Sequence, residues 1–385
     1  MTSWNINFRM IVEVENKEIV SLLSRCFAMA SVINNIPITP KRQVRIDRLN
    51  ILRAIRGTTG IEGARLTEDE VKRIMETSRS NKVLPENRQQ EEEEARNANI
   101  LMKYIARLVK NKPGCVLDEQ LIRTFHKILT KDIKYENNTP GEYRNYPVKV
   151  GNYSAPKHGE IEGLIGGFIA WFNQGEPKGW DPIIRAIVAH FYIVSIHPFG
   201  DGNGRTARAV ESFLLYKARI NELGFYSLAN FYYQHRSEYI SKLDFVRFET
   251  DNELTPFVLF ALRGFESELE SVHHEILLEV KEIAFRDYVR EVMNQTGSKP
   301  RGRMQEFMMM LGSESASIKA IRSGKHELSK LYNDLTDKTL SRDLEELTKN
   351  QLILIQNDQV KANIDIMNKF TAHYGSGEQP RPEVV

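Results

Sequence analysis

Residues 181–196, DPIIRAIVAHFYIVSI, constrain the fold more than any other stretch of this chain. Ile183, Ile184, Ile187, Val188, Phe191, Ile193, Val194 and Ile196 are spread over every side of a helix. A helix with no polar face belongs at the centre of a core. It is shorter than the ~20 apolar residues that span a bilayer, and no stretch of the chain approaches that length. The N-terminus, MTSWNINFRMIVEVENKEI, lacks the basic start and apolar run of a signal peptide, so a cytosolic protein is expected.

This buried helix runs directly into HPFGDGNGRTAR, residues 197–208. It therefore fixes His197 where the chain turns. Gly200, Gly202 and Gly204 allow positive φ and close approach to a ligand, and successive amides in such a loop form an anion nest. The following helix begins near Gly204, so its free N–H groups and positive dipole end face the same point. Arg205 and Arg208 lie three apart on that helix and can reach phosphate oxygens. Asp201 suits Mg²⁺, which takes one or two carboxylates with phosphate and water. His197 has the ordinary pKa of a base for a hydroxyl near neutral pH. The pattern follows a helix and lacks Gly-Lys-Ser/Thr, so neither a dinucleotide fingerprint nor a Walker A loop fits. The constellation points to phosphoryl or nucleotidyl transfer.

Elsewhere the periodicity is helical, over 15–35, 41–57, 67–77, 90–110, 117–132, 160–174, 181–196, 204–218, 235–248 and 254–294. Thr67 and Glu70 form a capping-box signal. The run Glu91–Glu94 suits a helix N-terminus and reads as a solvated face. Between 133 and 160 a short alternating strand, Tyr146 to Val150, lies between turn residues and predicts an exposed hairpin flap. Gly297, Pro300 and Gly302 mark a boundary. Beyond it the pattern reads as helix-turn-helix followed by a hairpin turning at Asn357-Asp358, a winged-helix arrangement. The expected fold class is mainly α, with an N-terminal helical region over 1–112, a helical core with a flap over 113–268, a connecting helix over 269–300, a winged helix-turn-helix domain over 301–374 and a disordered tail over 375–385. The 53 Lys+Arg balance 51 Asp+Glu for a net charge of +2, which argues against a chain built to coat nucleic acid. Cys26 and Cys115 are too few for a disulfide framework and read as small core residues.

HPFGDGNGRTAR matches without a gap the signature of the Fic family: His, any, Phe, any, Asp/Glu, Gly, Asn, Gly, Arg, two any, Arg. The hairpin GEYR…VKVG upstream and the bracketing helices also resemble that family, over roughly residues 40–268. The resemblance implies transfer of AMP from ATP to a Ser, Thr or Tyr hydroxyl of a protein substrate. His197 would deprotonate the hydroxyl and Asp201 would hold Mg²⁺ between the α- and β-phosphates. Asn203 with the amides of Gly202 and Gly204 would form the anion hole. Arg205 would contact the β-phosphate and Arg208 the γ-phosphate. Phe199 would anchor the loop, and the flap over 146–152 would align the target segment by strand pairing. Tyr239 sits where the family often places an aromatic near the adenine, a place that also suits a core aromatic.

A second stretch, GTTGIEGARLT at 57–67, carries Thr58, Glu62 and Gly63. These fit the family's inhibitory motif, in which the glutamate pairs with the second signature arginine, here Arg208. Such a carboxylate would occupy the γ-phosphate's place. In some members the same glutamate supports removal of AMP, so a de-AMPylase or another phosphoester transferase stands as an alternative, and a homodimer could hold the brake in place. The winged helix offers a third reading, a DNA-binding regulator, with Ser341 and Arg342 opening the recognition helix. Asp343, Glu345 and Glu346 on that helix speak against phosphate contact.

Overall fold

The computed structural model describes residues 6–9, 11–220, 228–250, 253–295 and 301–370. Gly297, Pro300 and the tail from 375 lie outside them. The chain forms two compact units that divide at Ile276 and Leu277.

The first unit holds α1 (Lys17–Asn35), α2 (Pro40–Ile61), α3 (Glu68–Glu76), α4 (Gln89–Asn111) and α5 (Glu119–Thr130). A two-stranded hairpin follows, β1 (Lys149–Val150) against β2 (Tyr153–Ser154). Then come α6 (Ile161–Gln174), α7 (Pro182–Ile196), α8 (Asn203–Lys217), α9 (Leu228–Gln234), α10 (Arg236–Phe248) and the start of α11 (Thr255–Gln295). The capping box of Thr67 and Glu70 opens α3 as the sequence predicts.

The predicted all-apolar helix is α7, buried from Ile183 to Ile196 except for Arg185. Its partner is α8, and α2, α4 and α5 pack around that pair. Pro182 at the first helical position and the Asp181 cap on the Ile183 amide fix where α7 begins.

Several elements depart from the expectation. Helix α2 does not stop at residue 57 but continues through Gly-Thr-Thr-Gly to Ile61. Gly57 lies against the Ala229 backbone and Gly60 against the Tyr233 ring, so tertiary packing on α9 outweighs the low helix propensity of glycine. Helix α9 itself was not read from the sequence. The flap strand begins at Lys149 and not at Tyr146, because the Tyr146 hydroxyl is held by the Asn137 carbonyl at 2.9 Å. The Glu91–Glu94 run is not a solvated face. Glu92 and Glu94 are buried, and Glu92 accepts the amides of Val83 and Leu84 at 2.9 and 2.8 Å and pairs with Arg96 at 2.6 Å. Cys26 is a buried core residue, whereas Cys115 is only half-buried.

The second unit contains the end of α11, then α12 (Arg301–Leu311), β3 (Ser315–Ser317), α13 (Ile318–Arg322), α14 (Asp337–Lys349), β4 (Ile353–Gln356) and β5 (Gln359–Ala362). The predicted hairpin forms, with positive φ at Asn357 and Asp358, and it gains the unpredicted β3 to make a sheet ordered β3-β5-β4. Phe285, Val289, Phe307, Leu344, Leu347 and Val360 share its core. Asp343 does not face outward as the sequence suggested. It is buried, bonded to Arg303 at 2.7 Å and to the Tyr332 hydroxyl at 3.0 Å. No helix among the described residues is long and apolar enough to cross a membrane.

Candidate functional site

The loop between α7 and α8 is built from both ends. His197 closes α7 in the left-handed region (φ 50°, ψ 57°), its amide still bonded to Ile193 at 3.0 Å. Gly202 opens α8 at φ 74°. Of the three loop glycines only Gly202 has positive φ. Gly200 is needed because the Asn137 backbone lies where its Cβ would be, and Gly204 because the Glu62 carboxylate and Arg208 guanidinium lie there. Phe199 is fully buried and stacks on the His126 ring at 3.7 Å between centroids. His126 accepts the Gly141 amide at Nδ1, 2.9 Å, which leaves Nε2–H to donate to the Asp201 carbonyl at 3.0 Å. Burial pushes His126 down to about 4, so it braces the loop as a neutral ring.

His197 lines a cleft of about 300 Å³ with Glu62, Gly204, Arg208, Tyr239 and the flap residues Val150 and Gly151. Its Nδ1 lies 3.2 Å from the Val194 carbonyl. A carbonyl only accepts, so Nδ1 carries the proton and Nε2 keeps the lone pair of a base. Burial, aided by Arg247 and Arg144, pushes His197 down to about 4. Arg144, buried and unforeseen from the sequence, donates to the His197 carbonyl at 2.8 Å, to Tyr146 at 2.8 Å and to Pro156 at 2.6 Å. One guanidinium thus ties both arms of the flap to the base.

The two signature arginines face different acids. Arg208 Nη2 donates to Glu62 at 2.5 Å, and its Nε and Nη2 reach the Thr58 hydroxyl and carbonyl at 3.0 Å each. Burial opposes the charge on Glu62, but Arg208, Arg205 and the hydrogen bond outweigh it and hold the carboxyl below its ordinary value. Arg205 is buried, pairs with Asp201 at 2.7 Å and with Glu94 at 3.3 Å, and meets the Tyr135 hydroxyl. Tyr135 in turn donates to Glu94 at 2.6 Å. Burial opposes the charge on Arg205, and Glu94 with Tyr135 and Glu62 restores it, raising its pKa. Glu94 and Tyr135 were not singled out from the sequence; an acid among four consecutive glutamates gives no sign of which one turns inward.

Asn203 braces the loop. Its Oδ1 accepts the Phe199 amide and its Nδ2 donates to the Phe199 carbonyl, both at 2.8 Å. Its side chain is therefore spent within the loop, and the Gly202 amide donates to the Asp201 carboxylate. Asp201 is 44 % exposed, a single carboxylate at the loop. No cluster of three or more His, Cys, Asp or Glu suited to a metal occurs among the described residues. Tyr239 is almost wholly buried, its hydroxyl 2.9 Å from His190 and its ring 4.7 Å from that of Tyr232. It is a core aromatic with one edge on the cleft wall.

Residues 116–215 match the model of the Fic/DOC family. Over that stretch the chain carries a Fic/DOC domain. It is 30 % identical over 214 residues to a protein adenylyltransferase Fic of Drosophila ananassae, covering 55 % of this chain and 40 % of that protein. A protein of the same name in Aedes aegypti is 28 % identical over 216 residues, 56 % of this chain and 40 % of the relative. The chain thus spans well under two thirds of these relatives. In fold it is similar to a Fic family protein from Desulfovibrio desulfuricans G20, at a TM-score of 0.55 and 17 % identity over 99 % of this chain and all of the other. A Fic-1 structure from C. elegans aligns at a TM-score of 0.58 and 20 % identity over 69 % of this chain and 74 % of the other.

Proposed function

We propose that this chain is a protein adenylyltransferase of the cytoplasm, restrained by Glu62. One observation carries the reading. A neutral His197, the Gly204 end of the amide nest and Arg208 open onto one cleft, with the flap along its edge. The names of the insect relatives support AMP as the group transferred.

In this reading a Ser, Thr or Tyr hydroxyl of the target attacks the α-phosphorus of ATP. Its proton passes to His197 Nε2, and the bond to the bridging oxygen breaks to release pyrophosphate. The Gly204 amide, with that of Gly202 once Asp201 turns from it to the metal, would meet the charge that develops on the phosphoryl oxygens. Arg205, held from behind by Glu94 and Tyr135, faces the β-phosphate, and Arg208 the γ-phosphate. The exposed carboxylate of Asp201 fits Mg²⁺, because that ion keeps waters and binds through few carboxylates plus substrate phosphates. When bound it would neutralise phosphate charge. Glu62 on Arg208 takes the place of the γ-phosphate, so ATP bound beside it is turned out of line.

The second unit is read as a winged helix-turn-helix module, α14 its second helix and β4–β5 its wing. The test of the catalytic reading is labelled ATP incubated with cell lysate and the Glu62→Gly protein. Mass addition of AMP on a protein hydroxyl, lost in His197→Ala, is expected. Equal labelling by His197→Ala would refute it.

A further inference from the structure

A second cavity of about 350 Å³ lies at the opposite ends of α7 and α8 from the signature loop, with as much room as the His197 cleft. Leu117, Phe172 and Leu214 give it an apolar floor. Its charged residues are Arg185, Lys178 and Lys217, and no carboxylate is among the described residues that line it. The distance from Arg185 to His197, twelve residues along one helix, is about 18 Å at 1.5 Å per residue. The two sites are separate.

Arg185 is the unusual member. Its guanidinium sits 4.6 Å from the centre of the Phe172 ring, and its Nη2 makes one long bond, 3.3 Å, to the Phe172 carbonyl. Its Nε is buried without a hydrogen-bond partner. The acid one turn earlier, Asp181, points its carboxylate at the Ile183 amide, 2.8 Å away. Burial lowers the pKa of Arg185, and no acid counters it. A half-desolvated cation with one buried, unsatisfied donor gains from any anion that pairs with it. An anion in the cavity would supply the missing charge and the missing acceptor together.

We propose that this cavity binds a small organic anion, a phosphate or carboxylate group carried on an aromatic or aliphatic body. The anionic group lies on the open edge of the Arg185 guanidinium, a geometry that favours planar, paired recognition of such groups. Lys178 and Lys217 add charge at the rim. The body rests on Leu117, Phe172 and Leu214, in a volume typical of small-molecule sites.

The test is calorimetric titration of the full chain with phenyl phosphate, inorganic phosphate and benzoate. Phenyl phosphate is expected to bind the wild-type protein and Arg208→Ala alike, and to bind more tightly than inorganic phosphate because the ring is also buried. Comparison with benzoate tells whether phosphate or carboxylate is preferred. Arg185→Gln is expected to weaken phenyl phosphate at least about tenfold, the factor for loss of one charged hydrogen bond, with no fall in melting temperature. The double variant Lys178→Gln/Lys217→Gln provides a second measurement if Arg185→Gln fails to fold, and a weakening is again expected. Phenyl phosphate binding that is lost in Arg208→Ala would place the ligand in the other cleft. Binding unchanged in Arg185→Gln, or in the double lysine variant where that is the one measured, would overturn the proposal.

Discussion

Replacing Glu62 with glycine tests the proposed restraint directly. In the structure Glu62 Oε1 accepts from Arg208 Nη2 at 2.5 Å, while Thr58 provides two further acceptors at 3.0 Å each. Removing the carboxylate therefore leaves Arg208 anchored but gives up the charged partner it has among the described residues. A hydrogen bond to a charged group contributes about 1.5–3 kcal/mol. The Glu62 side chain is 34 % exposed, and solvent screening puts it at the low end, about 1.5 kcal/mol. If Arg208 must break this contact to meet a γ-phosphate, losing it raises the competent population about tenfold, since 1.4 kcal/mol is a factor of ten. Glycine adopts the local backbone without strain, because residue 62 lies in the right-handed region at φ −81°. The assay is the initial rate of labelled AMP incorporation from ATP at matched protein concentration. Glu62→Gln should fall between the two, keeping an acceptor but losing the charge. A rate unchanged or lower in Glu62→Gly, with ATP affinity intact, would show that the pair does not restrain transfer.

Two further outcomes follow from the same geometry. Tyr135→Phe removes the hydroxyl shared by Arg205 and Glu94 and is expected to raise the KM for ATP roughly tenfold with little change in melting temperature; a lower melting temperature with KM unchanged would make Tyr135 merely structural. For pH, burial sets His197 at about 4 against an ordinary 6.5, so it stays a neutral base well into the acid range. Glu62 has a folded pKa lowered from 4.5, so its ion pair is present at neutral pH and is lost only as pH falls through that lowered value. The rate should therefore be level between about pH 8 and 5 and fall only toward 4. A decline centred near 6.5 would show a solvated imidazole.

The parts of the fold read best from sequence are those fixed by local pattern. Helix α7 has no polar face, Thr67 and Glu70 cap α3, and Asn357-Asp358 tolerates the left-handed turn of the β4–β5 hairpin. The parts that were missed depend on partners far along the chain. Glycines at 57 and 60 look like a helix end until α9 is seen filling the space they leave. Glu94 is indistinguishable from Glu91 and Glu93 until Arg205 and Tyr135 are placed beside it. Arg144, within the GEYR of the flap, lies buried among backbone carbonyls that no local pattern reveals. Asp343 broke the expected charge pattern of α14 because Arg303 and Tyr332 compensate it from outside that helix. Sequence periodicity shows which face is apolar, but it does not show which polar residue has its partner inside.

The two acids that meet the signature arginines differ in burial and in what supports them. Glu94 has only 8 % of its side chain exposed and shares Arg205 with Tyr135 on α4's inner side. Removing it would strand a buried cation, so this pair is a fixed support. Glu62 stands just past the last turn of α2, in a cleft wall and one-third open to water. The turn behind it is pinned, with Arg236 Nε donating to the Ile61 carbonyl at 2.9 Å and Gly57 and Gly60 pressed onto α9. Moving α2 would break that packing, whereas rotating the Glu62 side chain breaks one ion pair and returns the carboxylate to water. Gly204 leaves the space beside Arg208 open, since a Cβ there would crowd the Glu62 carboxylate and come within 3.0 Å of the guanidinium. In the proposed reading, release would therefore demand no helix displacement. In the proposed reading a γ-phosphate, carrying more charge than a carboxylate and offering more acceptors, would compete with Glu62 for Arg208 on the same ground.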